Sequence, residues 1–476
     1  MFRPMFAVLV GVVLWHGGGS PLHAADRPNL ILIMADDMGY ADLSSFGGTA
    51  VKTPNIDALA STGMRFTQYY AASAVCTPTR AAVLTGRYPL RFDIRRHFPD
   101  DESHLPRGTV TLPRLLRSAG YATAHVGKWH LGGLHQKHLD DRAQSIPGPQ
   151  QHGFEHYLTQ LEDPPVRVPL GKSKTTYRKG GQHLVRDDDN APKDDRHYTD
   201  INGDEAIAYI EQFHREKRPF FINLWFLVPH TPYEPAPSPH LERYEETADG
   251  DQLLFRSMMS HMDEKVGQIV AKLKELGIDD NTFILFTSDN GPAWQGNPGR
   301  WKAGKTDLHE GGIRVPMIAT WPDHIPAGTA CDTLAHATDI LPTMCAAAGV
   351  ALPKNVHFDG VNLLPMMTEG RDLQRGTVFW QMDLYPRIQR FMQKPKPYST
   401  EVVRDGRWKM LAREGKATEL FDLESDPGET KNLLHEQPER VARMEGELKA
   451  WLAEPRRRWD DPTLKPEVGD SANASP

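Results

Sequence analysis

The chain has 476 residues, of which 39% are hydrophobic and 25% are charged, and its formal net charge is -7. The composition is that of a soluble globular protein, and the length allows more than one domain at about 100–200 residues each. The excess of 62 acidic over 55 basic residues argues against nucleic-acid binding by the surface as a whole. Three cysteines, Cys76, Cys331 and Cys345, are too few for a disulfide scaffold, and the last two could pair or stay reduced.

The first 25 residues have the pattern of a secretory signal peptide. Arg3 supplies a positive charge, residues 5–15 are apolar apart from Gly11, and Leu22-His23-Ala24-Ala25 offers a cleavage site of small residues. The apolar run is too short to span a bilayer, although an uncleaved anchor is the alternative interpretation. No other stretch is apolar for long enough to cross a membrane. We therefore expect an exported chain, periplasmic or secreted, with no membrane span after cleavage.

Short apolar runs alternate with amphipathic stretches from residue 29 to residue 348. The apolar runs predict buried strands at residues 29–34, 121–126, 220–228, 282–287 and 315–320. Helical spacing predicts helices at residues 57–66, 112–119, 204–217, 253–276 and 333–348. This alternation predicts an α/β fold with a large, doubly wound and mostly parallel sheet.

The pattern changes after residue 352. Residues 377–382 and 399–411 have the character of antiparallel strands, with a tight turn at Asp405-Gly406, and residues 441–452 have that of a terminal helix. We expect a large α/β domain at residues 26–352, a smaller C-terminal α+β domain at residues 353–462 and a disordered tail at residues 463–476.

A reactive side chain stands beside a predicted anion site at Val75-Cys76-Thr77-Pro78-Thr79-Arg80. Pro78 suits the first position of a helix, Thr77 suits its N-cap, and Gly86 suits its end. Cys76 then lies at the mouth of a short helix, where free N–H groups and the helix dipole attract an anion. Arg80 follows one turn later, on a face that can point back at Cys76. A buried cysteine before an ordinary helix is the alternative.

Four predicted strands end in polar or ionisable residues. These ends carry Asp36-Asp37, Lys128-Trp129-His130, His230 and Asp289-Asn290. In an open parallel sheet, ligands bind beyond the carboxyl ends of the strands, so we expect these side chains to lie close together. Each motif alone has an ordinary explanation as a turn, a loop or a solvated charge, whereas four together are harder to dismiss.

The carboxylate and amide side chains at these ends predict a metal site. Asp36, Asp37, Asp289 and Asn290 offer only oxygen. Three carboxylates and an amide suit a hard divalent cation, Ca²⁺ before Mg²⁺, whereas zinc would prefer His or Cys. The cation would offset the charge of a bound anion and polarise it.

The basic side chains predict an anion pocket around that cation. Arg80, Lys128 and Lys305 would add positive charge directed at the same anion. His130 and His230 are available as base and acid near neutral pH. Together these residue types are typical of a site that cleaves an anionic ester.

The residues around Cys76 resemble the signature of the formylglycine-dependent sulfatases, which is Cys-x-Pro-x-Arg followed by Leu-Thr-Gly. The matching residues are Cys76, Pro78, Arg80, Leu84, Thr85 and Gly86. In that family, part of the alkaline phosphatase-like superfamily, a separate maturation enzyme oxidises the cysteine to the aldehyde formylglycine, whose hydrate is the nucleophile. The resemblance therefore implies a formylglycine at residue 76 and a formylglycine-generating enzyme as a partner of this chain.

The resemblance extends over nearly all of the mature chain. Further matches, in the family's order, are Asp36-Asp37, Gly127-Lys128-Trp129-His130, Gly153-Phe154, Pro229-His230, Ser288-Asp289-Asn290-Gly291, Lys305, Glu310-Gly311-Gly312-Ile313-Arg314-Val315-Pro316, Asp359-Gly360 and Leu420-Phe421-Asp422-Leu423. The resemblance implies a sulfuric ester hydrolase that binds one Ca²⁺ and acts on an aryl sulfate or a sulfated carbohydrate. It implies catalytic roles for Cys76, Arg80, Lys128, His130, His230 and Lys305, and metal ligation by Asp36, Asp37, Cys76, Asp289 and Asn290.

Two other functions stay open at this point. Some relatives with the same signature hydrolyse phosphonate monoesters or phosphodiesters, and a non-catalytic protein that binds sulfated glycans could keep a fossil site. No expected ligand or acid is missing from the matching positions, which favours the enzyme.

Residues 161–198 lack periodicity and have the character of a long surface excursion. Within it, Lys172, Lys174, Arg178 and Lys179 could contact a second anionic group of a glycan, although solvated loop charges are the ordinary explanation.

Overall fold

The structure, a computed structural model, describes residues 27–97, 103–141, 145–160, 167–169, 176–178, 184–384 and 398–454. The predicted signal peptide and C-terminal tail lie outside the described residues. So do Lys172, Lys174 and Lys179, and the side chain of Arg178.

The described residues form strands and helices that alternate along most of the chain. The strands are β1 (Asn29–Ala35), β2 (Met64–Phe66), β3 (Tyr69–Tyr70), β4 (Ala122–Gly127), β5 (His156–Gln160), β6 (Arg167–Pro169), β7 (Thr176–Arg178), β8 (Leu184–Arg186), β9 (Asp189–Asn190), β10 (Phe220–Trp225), β11 (Thr282–Ser288), β12 (Met317–Thr320), β13 (Thr329–Cys331), β14 (Ala335–His336), β15 (Val378–Gln381), β16 (Glu401–Asp405), β17 (Trp408–Arg413) and β18 (Lys416–Asp422). The helices are α1 (Pro54–Thr62), α2 (Cys76–Thr85), α3 (Leu112–Ser118), α4 (Gln136–Asp140), α5 (Tyr198–Arg215), α6 (Gly250–Glu275), α7 (Glu310–Ile313), α8 (Ile340–Ala347), α9 (Leu364–Glu369) and α10 (Pro438–Leu452).

A large sheet forms the centre of the molecule, with the strand order β13-β2-β12-β11-β1-β10-β4-β5-β8-β9. The strands from β11 to β5 in this order are parallel to their neighbours. Antiparallel pairings occur only toward the edges, at β12 and at β8 and β9, among the strands that are described. The predicted doubly wound, mostly parallel sheet is thus confirmed.

Strand β1 contributes to a core on each face of this sheet. Leu30, Leu32 and Met34 pack with the helices α2, α3 and α8, whereas Ile31 and Ile33 pack with α1, α5 and α6. Successive side chains of a strand point to opposite faces, and a strand covered on both faces is therefore apolar throughout. Because β11, β1, β10 and β4 are adjacent and parallel, their carboxyl ends meet at one edge of the sheet.

Two of the observed helices are shorter than predicted, because part of each predicted range forms a strand or a turn instead. The helix predicted at residues 57–66 ends at Thr62, and Gly63 leads into β2. A Cβ atom at Gly63 would lie 2.3 Å from the carbonyl oxygen of Ala319, so the close approach to β12 requires glycine. The helix predicted at residues 333–348 occupies only α8, and β14 and a 3₁₀ turn capped by His336 precede it.

The start of α2 also differs from the prediction. The helix begins at Cys76 itself, with Val75 extended before it (φ -143°, ψ 154°), so Thr77 is not the N-cap. The predicted end is confirmed, because Gly86 is left-handed (φ 66°) and donates its N–H to Ala82. Cys76 is therefore the first helical residue.

The segment predicted as an irregular excursion contains the short strands β6 to β9, and β8 and β9 extend the main sheet. Helix α5 starts earlier than predicted, at Tyr198. Cys331 and Cys345 are both buried and free, and the Cys331 sulfur lies 3.4 Å from the sulfur of Met366.

A second sheet, β15-β16-β17-β18, is antiparallel and carries the terminal helix α10, which confirms the predicted C-terminal α+β unit. The predicted turn at Asp405-Gly406 joins β16 to β17. The unit contacts the main body directly, because the Trp380 indole donates to the Ala71 carbonyl at 2.7 Å and Arg404 donates to the Tyr70 hydroxyl at 3.0 Å. The boundary at residue 352 stays a prediction. None of the described helices combines the length and the apolar character needed to cross a membrane.

Candidate active site

Two buried carboxylates follow the end of β1. Asp36 and Asp37 are almost inaccessible to solvent, and Asp37 has a left-handed backbone (φ 69°). The Asp36 N–H donates to the Val228 carbonyl at 3.0 Å, and the Asp37 N–H donates to Asp289 Oδ1 at 3.2 Å. Neighbouring strand ends therefore fix the backbone of the pair.

Helix α2 presents Cys76 to these carboxylates. The Cys76 sulfur lies 3.6 Å from Asp36 Oδ1 and 4.0 Å from Asp37 Oδ1, and the residue is 1% exposed. Burial, together with the charge of Asp289, raises the pKa of the Cys76 thiol to about 12. The unmodified side chain is therefore a neutral thiol at neutral pH, and not a thiolate nucleophile.

Two lysines neutralise the aspartates. Lys128 Nζ lies 2.6 Å from Asp36 Oδ2, and Lys305 Nζ lies 2.6 and 2.7 Å from the two carboxylate oxygens of Asp37. Lys305 Nζ also lies 3.5 Å from the Cys76 sulfur. Burial would raise the pKa of each carboxyl, but Lys128 for Asp36 and Lys305 for Asp37 outweigh it and lower the pKa.

Arg80 holds the third carboxylate. Its Nε and Nη2 atoms donate to Asp289 Oδ2 at 3.1 and 2.6 Å, and Nη1 donates to the Lys128 carbonyl at 3.0 Å. The guanidinium lies over the ring of Trp225, 5.0 Å from its centroid. Burial and the charge of Asp36 raise the pKa of Asp289 to about 6, so this carboxyl is mostly ionised at neutral pH.

The residues present fit a divalent cation. Asn290 donates through Nδ2 to Asp37 Oδ1 at 2.8 Å, while its Oδ1 atom is buried and has no hydrogen-bond partner among the described residues. A buried amide oxygen without a donor is unfavourable, and a cation would satisfy it. The three carboxylates of the site are balanced by the charged side chains of Arg80, Lys128 and Lys305. A bound divalent metal ion would therefore give the pocket a net positive charge, which suits an anionic ester.

The two predicted histidines are both partly buried. His230 Nε2 is 3.6 Å from Asp37 Oδ2, and burial with the charge of Lys305 lowers the pKa of His230 to about 4. His130 has a left-handed backbone (φ 56°), and its carbonyl accepts a hydrogen bond from Thr77 Oγ1 at 2.9 Å. Burial and the charge of Lys128 lower the pKa of His130 well below its usual range.

All the predicted site residues gather at this edge of the sheet. Potential ligand atoms of four described residues all lie within 4.8 Å of one another, and these residues are Asp36, Asp37, Cys76 and His230. This group includes His230 instead of Asp289, whose Oδ2 faces Arg80. The catalytic and metal-binding roles of these residues stay predictions.

Sequence reasoning missed two neighbours of the site. Trp225, beneath Arg80, is the last residue of β10, a position that could have drawn attention. His97 has its ring centroid 6.2 Å from that of His130, and burial lowers its pKa to about 3. Nothing in the local sequence, Arg95-Arg96-His97, distinguishes this histidine from a solvated one.

Comparison with known families assigns nearly all of the described chain. A family model described as Sulfatase matches residues 28–350, and one described as N-sulphoglucosamine sulphohydrolase, C-terminal, matches residues 301–458. The overlap of the two spans α7, α8 and β12, which belong to the main body of the structure.

Individual proteins agree with this assignment. The chain is 33% identical over 392 residues to the N-acetylgalactosamine-6-sulfatase of Canis lupus familiaris, covering 78% of this chain and 72% of the relative. It is 32% identical over 464 residues to the arylsulfatase A of Homo sapiens, and the match covers 87% of this chain and 84% of that protein. The crystal structure of Ps i-CgsB in complex with k-i-k-neocarrahexaose superposes with a TM-score of 0.78 at 28% identity and covers 92% of this chain and 96% of that one.

Proposed function

The chain belongs to the sulfatase family and is a sulfuric ester hydrolase, and we propose that it releases sulfate from sulfated carbohydrates through a formylglycine made from Cys76. The observation that carries the proposal is the position of Cys76. Its sulfur lies at the first residue of α2, between the carboxylates of Asp36 and Asp37 and the ammonium of Lys305. A nucleophile at this point would face two carboxylates and an ammonium group of the site.

The chemistry of the thiol supports a modified nucleophile. With a pKa of about 12, the buried Cys76 thiol is a poor nucleophile at neutral pH. An aldehyde hydrate in its place carries two hydroxyl groups, one to attack and one to expel the product. Because Cys76 is 1% exposed in the folded chain, we expect the maturation enzyme to act before folding is complete.

Charged side chains would hold the substrate in place. A sulfate ester that enters beside residue 76 would meet the ammonium groups of Lys128 and Lys305. Arg80 would position the hydrate and keep Asp289 in place. Asp36, Asp37, Asp289 and Asn290, with residue 76, would hold one Ca²⁺. When bound, this ion would offset the negative charges and polarise the ester.

The reaction would proceed in two steps. One hydroxyl of the hydrate would pass its proton to a carboxylate that faces residue 76 and attack sulfur, and the S–O bond to the substrate alcohol would break. His230, or Lys305 as a second candidate, supplies the proton that leaves with the alcohol. His130 then accepts the proton of the second hydroxyl, the C–O bond to sulfate breaks, and the aldehyde re-forms. Addition of one water to the aldehyde restores the hydrate.

His230 can act as an acid at neutral pH only if the bound substrate raises its pKa. With a pKa of about 4 in the absence of substrate, the His230 ring is neutral at neutral pH, because burial and the charge of Lys305 disfavour its cation. The negative charge of a bound sulfate ester would raise that pKa. Lys305 stays protonated, because Asp37 outweighs its burial and raises the pKa of its ammonium. Both candidates can therefore hold a proton beside the leaving oxygen.

The carbohydrate substrate is supported by the relatives. One of them is named for sulfated N-acetylgalactosamine, and the crystal structure at TM-score 0.78 holds a neocarrahexaose. The pattern of the first 25 residues supports export to the periplasm or the medium. N-terminal sequencing of the secreted protein should begin near residue 26, and a start at Met1 would contradict this.

The test of the proposed function combines a mass and a rate. We expect the proteolytic peptide that contains Cys76 to carry an aldehyde after co-expression with a maturation enzyme. Sulfate release from 4-nitrophenyl sulfate and from sulfated saccharides should then appear, and Cys76→Ala should abolish it without changing the fold. Near-normal sulfate release by that variant would overturn the proposal. A tenfold or greater preference for the matched phosphate ester would instead favour the phosphoester branch of the superfamily.

A further inference from the structure

A cavity of about 980 Å³ lies where the C-terminal unit meets the main body. The main body contributes Tyr40, Trp301 and Arg314 to its lining, and the C-terminal unit contributes Arg404 and Leu423. This volume is at the upper end of the range of ligand pockets, which is about 300–1,000 Å³. None of the described residues that line it belongs to the catalytic centre. It is therefore a second cavity, separate from the site around Cys76.

The main-body side of this cavity is close to the catalytic centre along the chain. Tyr40 follows Asp37 by three residues, so their Cα atoms are at most about 11 Å apart. Trp301 precedes Lys305 by four residues, which limits their Cα separation to about 14 Å. The cavity and the catalytic centre are therefore close enough to bind neighbouring parts of one polymeric substrate.

Two buried arginines give the cavity a fixed positive charge. Arg314 donates from Nε and Nη2 to the Thr67 carbonyl at 2.9 and 2.6 Å, and its guanidinium lies 3.9 Å from the centroid of the Trp301 ring. Arg404 donates to the Tyr70 hydroxyl at 3.0 Å. Because these contacts already hold both guanidinium groups, an anion that binds to them costs little side-chain entropy.

The lining carries more positive than negative charge. Among the described lining residues, four are arginines and two are acidic, namely Arg300, Arg314, Arg404, Arg407, Asp332 and Glu424. Arg407 is paired with Glu424 and with Asp422. Arg314 is paired with Glu310, whose charge Lys409 also neutralises. Such a balance favours an anionic ligand over a cationic one.

Arg300 supplies positive charge that the described carboxylates do not balance. It is exposed, and it forms no ion pair with a carboxylate of the described residues. Its guanidinium lies 4.6 Å from the centroid of the Trp301 ring, which Arg314 also contacts. Burial raises the pKa of the Tyr40 hydroxyl, and the charges of Arg314 and Arg300 oppose this rise. Two guanidinium groups over one ring repel each other, and a bound anion would offset that repulsion.

We propose that this cavity binds a sulfated segment of the carbohydrate substrate, apart from the ester that is cleaved. This inference rests on the proposed carbohydrate substrate. Arginine forms paired hydrogen bonds with the oxygens of tetrahedral anions, and the volume suits several sugar residues better than an isolated anion. Binding at two sites would raise the affinity for long sulfated chains over short ones.

The test counts the oligosaccharide molecules that the inactive Cys76→Ala protein binds. Isothermal titration calorimetry with sulfated tetrasaccharides of chondroitin and of carrageenan should give two molecules per chain. Adding Arg300→Glu should leave one, whereas Arg300→Lys retains the charge and should keep two. Glu424→Gln removes a carboxylate from the lining, so it should tighten binding at the second site about twofold.

Arg215 provides the matched control. It is an exposed arginine at the end of α5, which precedes β10, and so lies toward the opposite edge of the sheet. Arg215→Glu makes the same change of net charge as Arg300→Glu and should leave two molecules bound per chain.

The outcomes separate this inference from the proposed function. One molecule per chain in the Cys76→Ala protein, or two after Arg300→Glu, would overturn the inference, while sulfate release from the same saccharides by matured wild type would leave the proposed function intact. Inorganic sulfate that binds the second site as tightly as the tetrasaccharides would also overturn it, because the ligand would then be the free anion. If matured wild type cleaves 4-nitrophenyl sulfate but neither binds nor cleaves a saccharide, the carbohydrate assignment fails and this inference fails with it.

Discussion

Arg80 donates two hydrogen bonds to a single carboxylate oxygen of Asp289, from Nε at 3.1 Å and from Nη2 at 2.6 Å, and neither side chain is accessible to solvent. The pair joins the second turn of α2 to the residue that follows β11. Because α2 also carries Cys76, this contact sets the position of residue 76 relative to the strand ends. Its loss should therefore affect both folding and catalysis.

We expect Arg80→Ala to lower the free energy of unfolding by about 3–5 kcal/mol, because it leaves the buried Asp289 carboxylate without the cation that is hydrogen-bonded to it. Sulfate release should fall below detection. Arg80→Lys keeps a positive charge but cannot form the paired hydrogen bonds, so its stability should lie between that of wild type and that of Arg80→Ala. Urea unfolding monitored by fluorescence would measure both effects.

The double variant Arg80→Ala/Asp289→Asn separates charge from packing. It removes the unpaired carboxylate, so we expect it to be more stable than Arg80→Ala alone while remaining inactive. Equal stability of the single and double variants would mean that lost packing against Trp225, and not the buried charge, dominates.

The convergence of the strand ends could be predicted from the sequence because each apolar run stops at a polar group. Asp36, Lys128 and Asp289 directly follow β1, β4 and β11, and parallel strands bring such residues to one edge. Hydrophobic periodicity carries this information without any knowledge of tertiary contacts.

Other features depend on contacts that no local pattern reports. The break between α1 and β2 exists because Gly63 meets the Ala319 carbonyl of a strand more than 250 residues later in the chain. The position of Cys76 inside α2 depends on the extended backbone of Val75, which propensity alone does not predict. His97 reaches His130 only through tertiary folding.

Removal of calcium should lower both activity and stability. We expect chelation of the matured protein to abolish sulfate release and added Ca²⁺ to restore it. At a free Ca²⁺ concentration of 100 times Kd, the ion should add about 2.7 kcal/mol to the free energy of unfolding. Thermal unfolding with and without chelator measures this shift.

Asn290→Ala provides the residue-level test of the metal site. It removes the buried Oδ1 atom that has no described hydrogen-bond donor, so Ca²⁺ affinity should fall by roughly tenfold or more. Titration calorimetry of the inactive Cys76→Ala protein, with and without the Asn290 change, isolates this effect from catalysis. Tighter binding of Mg²⁺ than of Ca²⁺ would contradict the assignment of the ion.

His336 should make the fold sensitive to acid. Its Nδ1 atom accepts the Thr338 N–H at 3.2 Å and caps the turn before α8. Burial, together with the charge of Arg375, lowers the pKa of His336 well below its usual range. The unfolded chain, with a histidine pKa of about 6.5, binds the proton more readily, so stability is fully present above that pH and is lost as the pH falls below it.

The matched control replaces His336 with asparagine, which can still cap the turn but does not titrate. Wild type should lose up to about 1.4 kcal/mol more stability per pH unit than His336→Asn as the pH falls below about 6. Urea unfolding at a series of pH values measures the two slopes. Parallel slopes would show that other buried groups account for the acid sensitivity.

Lys409 joins the C-terminal sheet to the main body. Its Nζ atom lies 3.0 Å from Glu310 Oε1 and 2.8 Å from Glu429 Oε1, and all three side chains are buried. Burial would raise the pKa of Glu310, but Lys409 and Arg314 lower it to about 2, so the carboxylate is charged at neutral pH.

We expect Lys409→Met to cost about 3–5 kcal/mol of stability, because it preserves packing but leaves two buried carboxylates that repel each other. Lys409→Met/Glu310→Gln should recover part of that loss. The exposed Lys416 of β18, which pairs with Glu445 of α10, offers a control within the same unit, and Lys416→Ala should change stability little. Because α7 lies in the main body, both units should unfold in one transition in differential scanning calorimetry. Two separate transitions, with only the second shifted by Lys409→Met, would mean that the C-terminal unit folds independently of the catalytic domain.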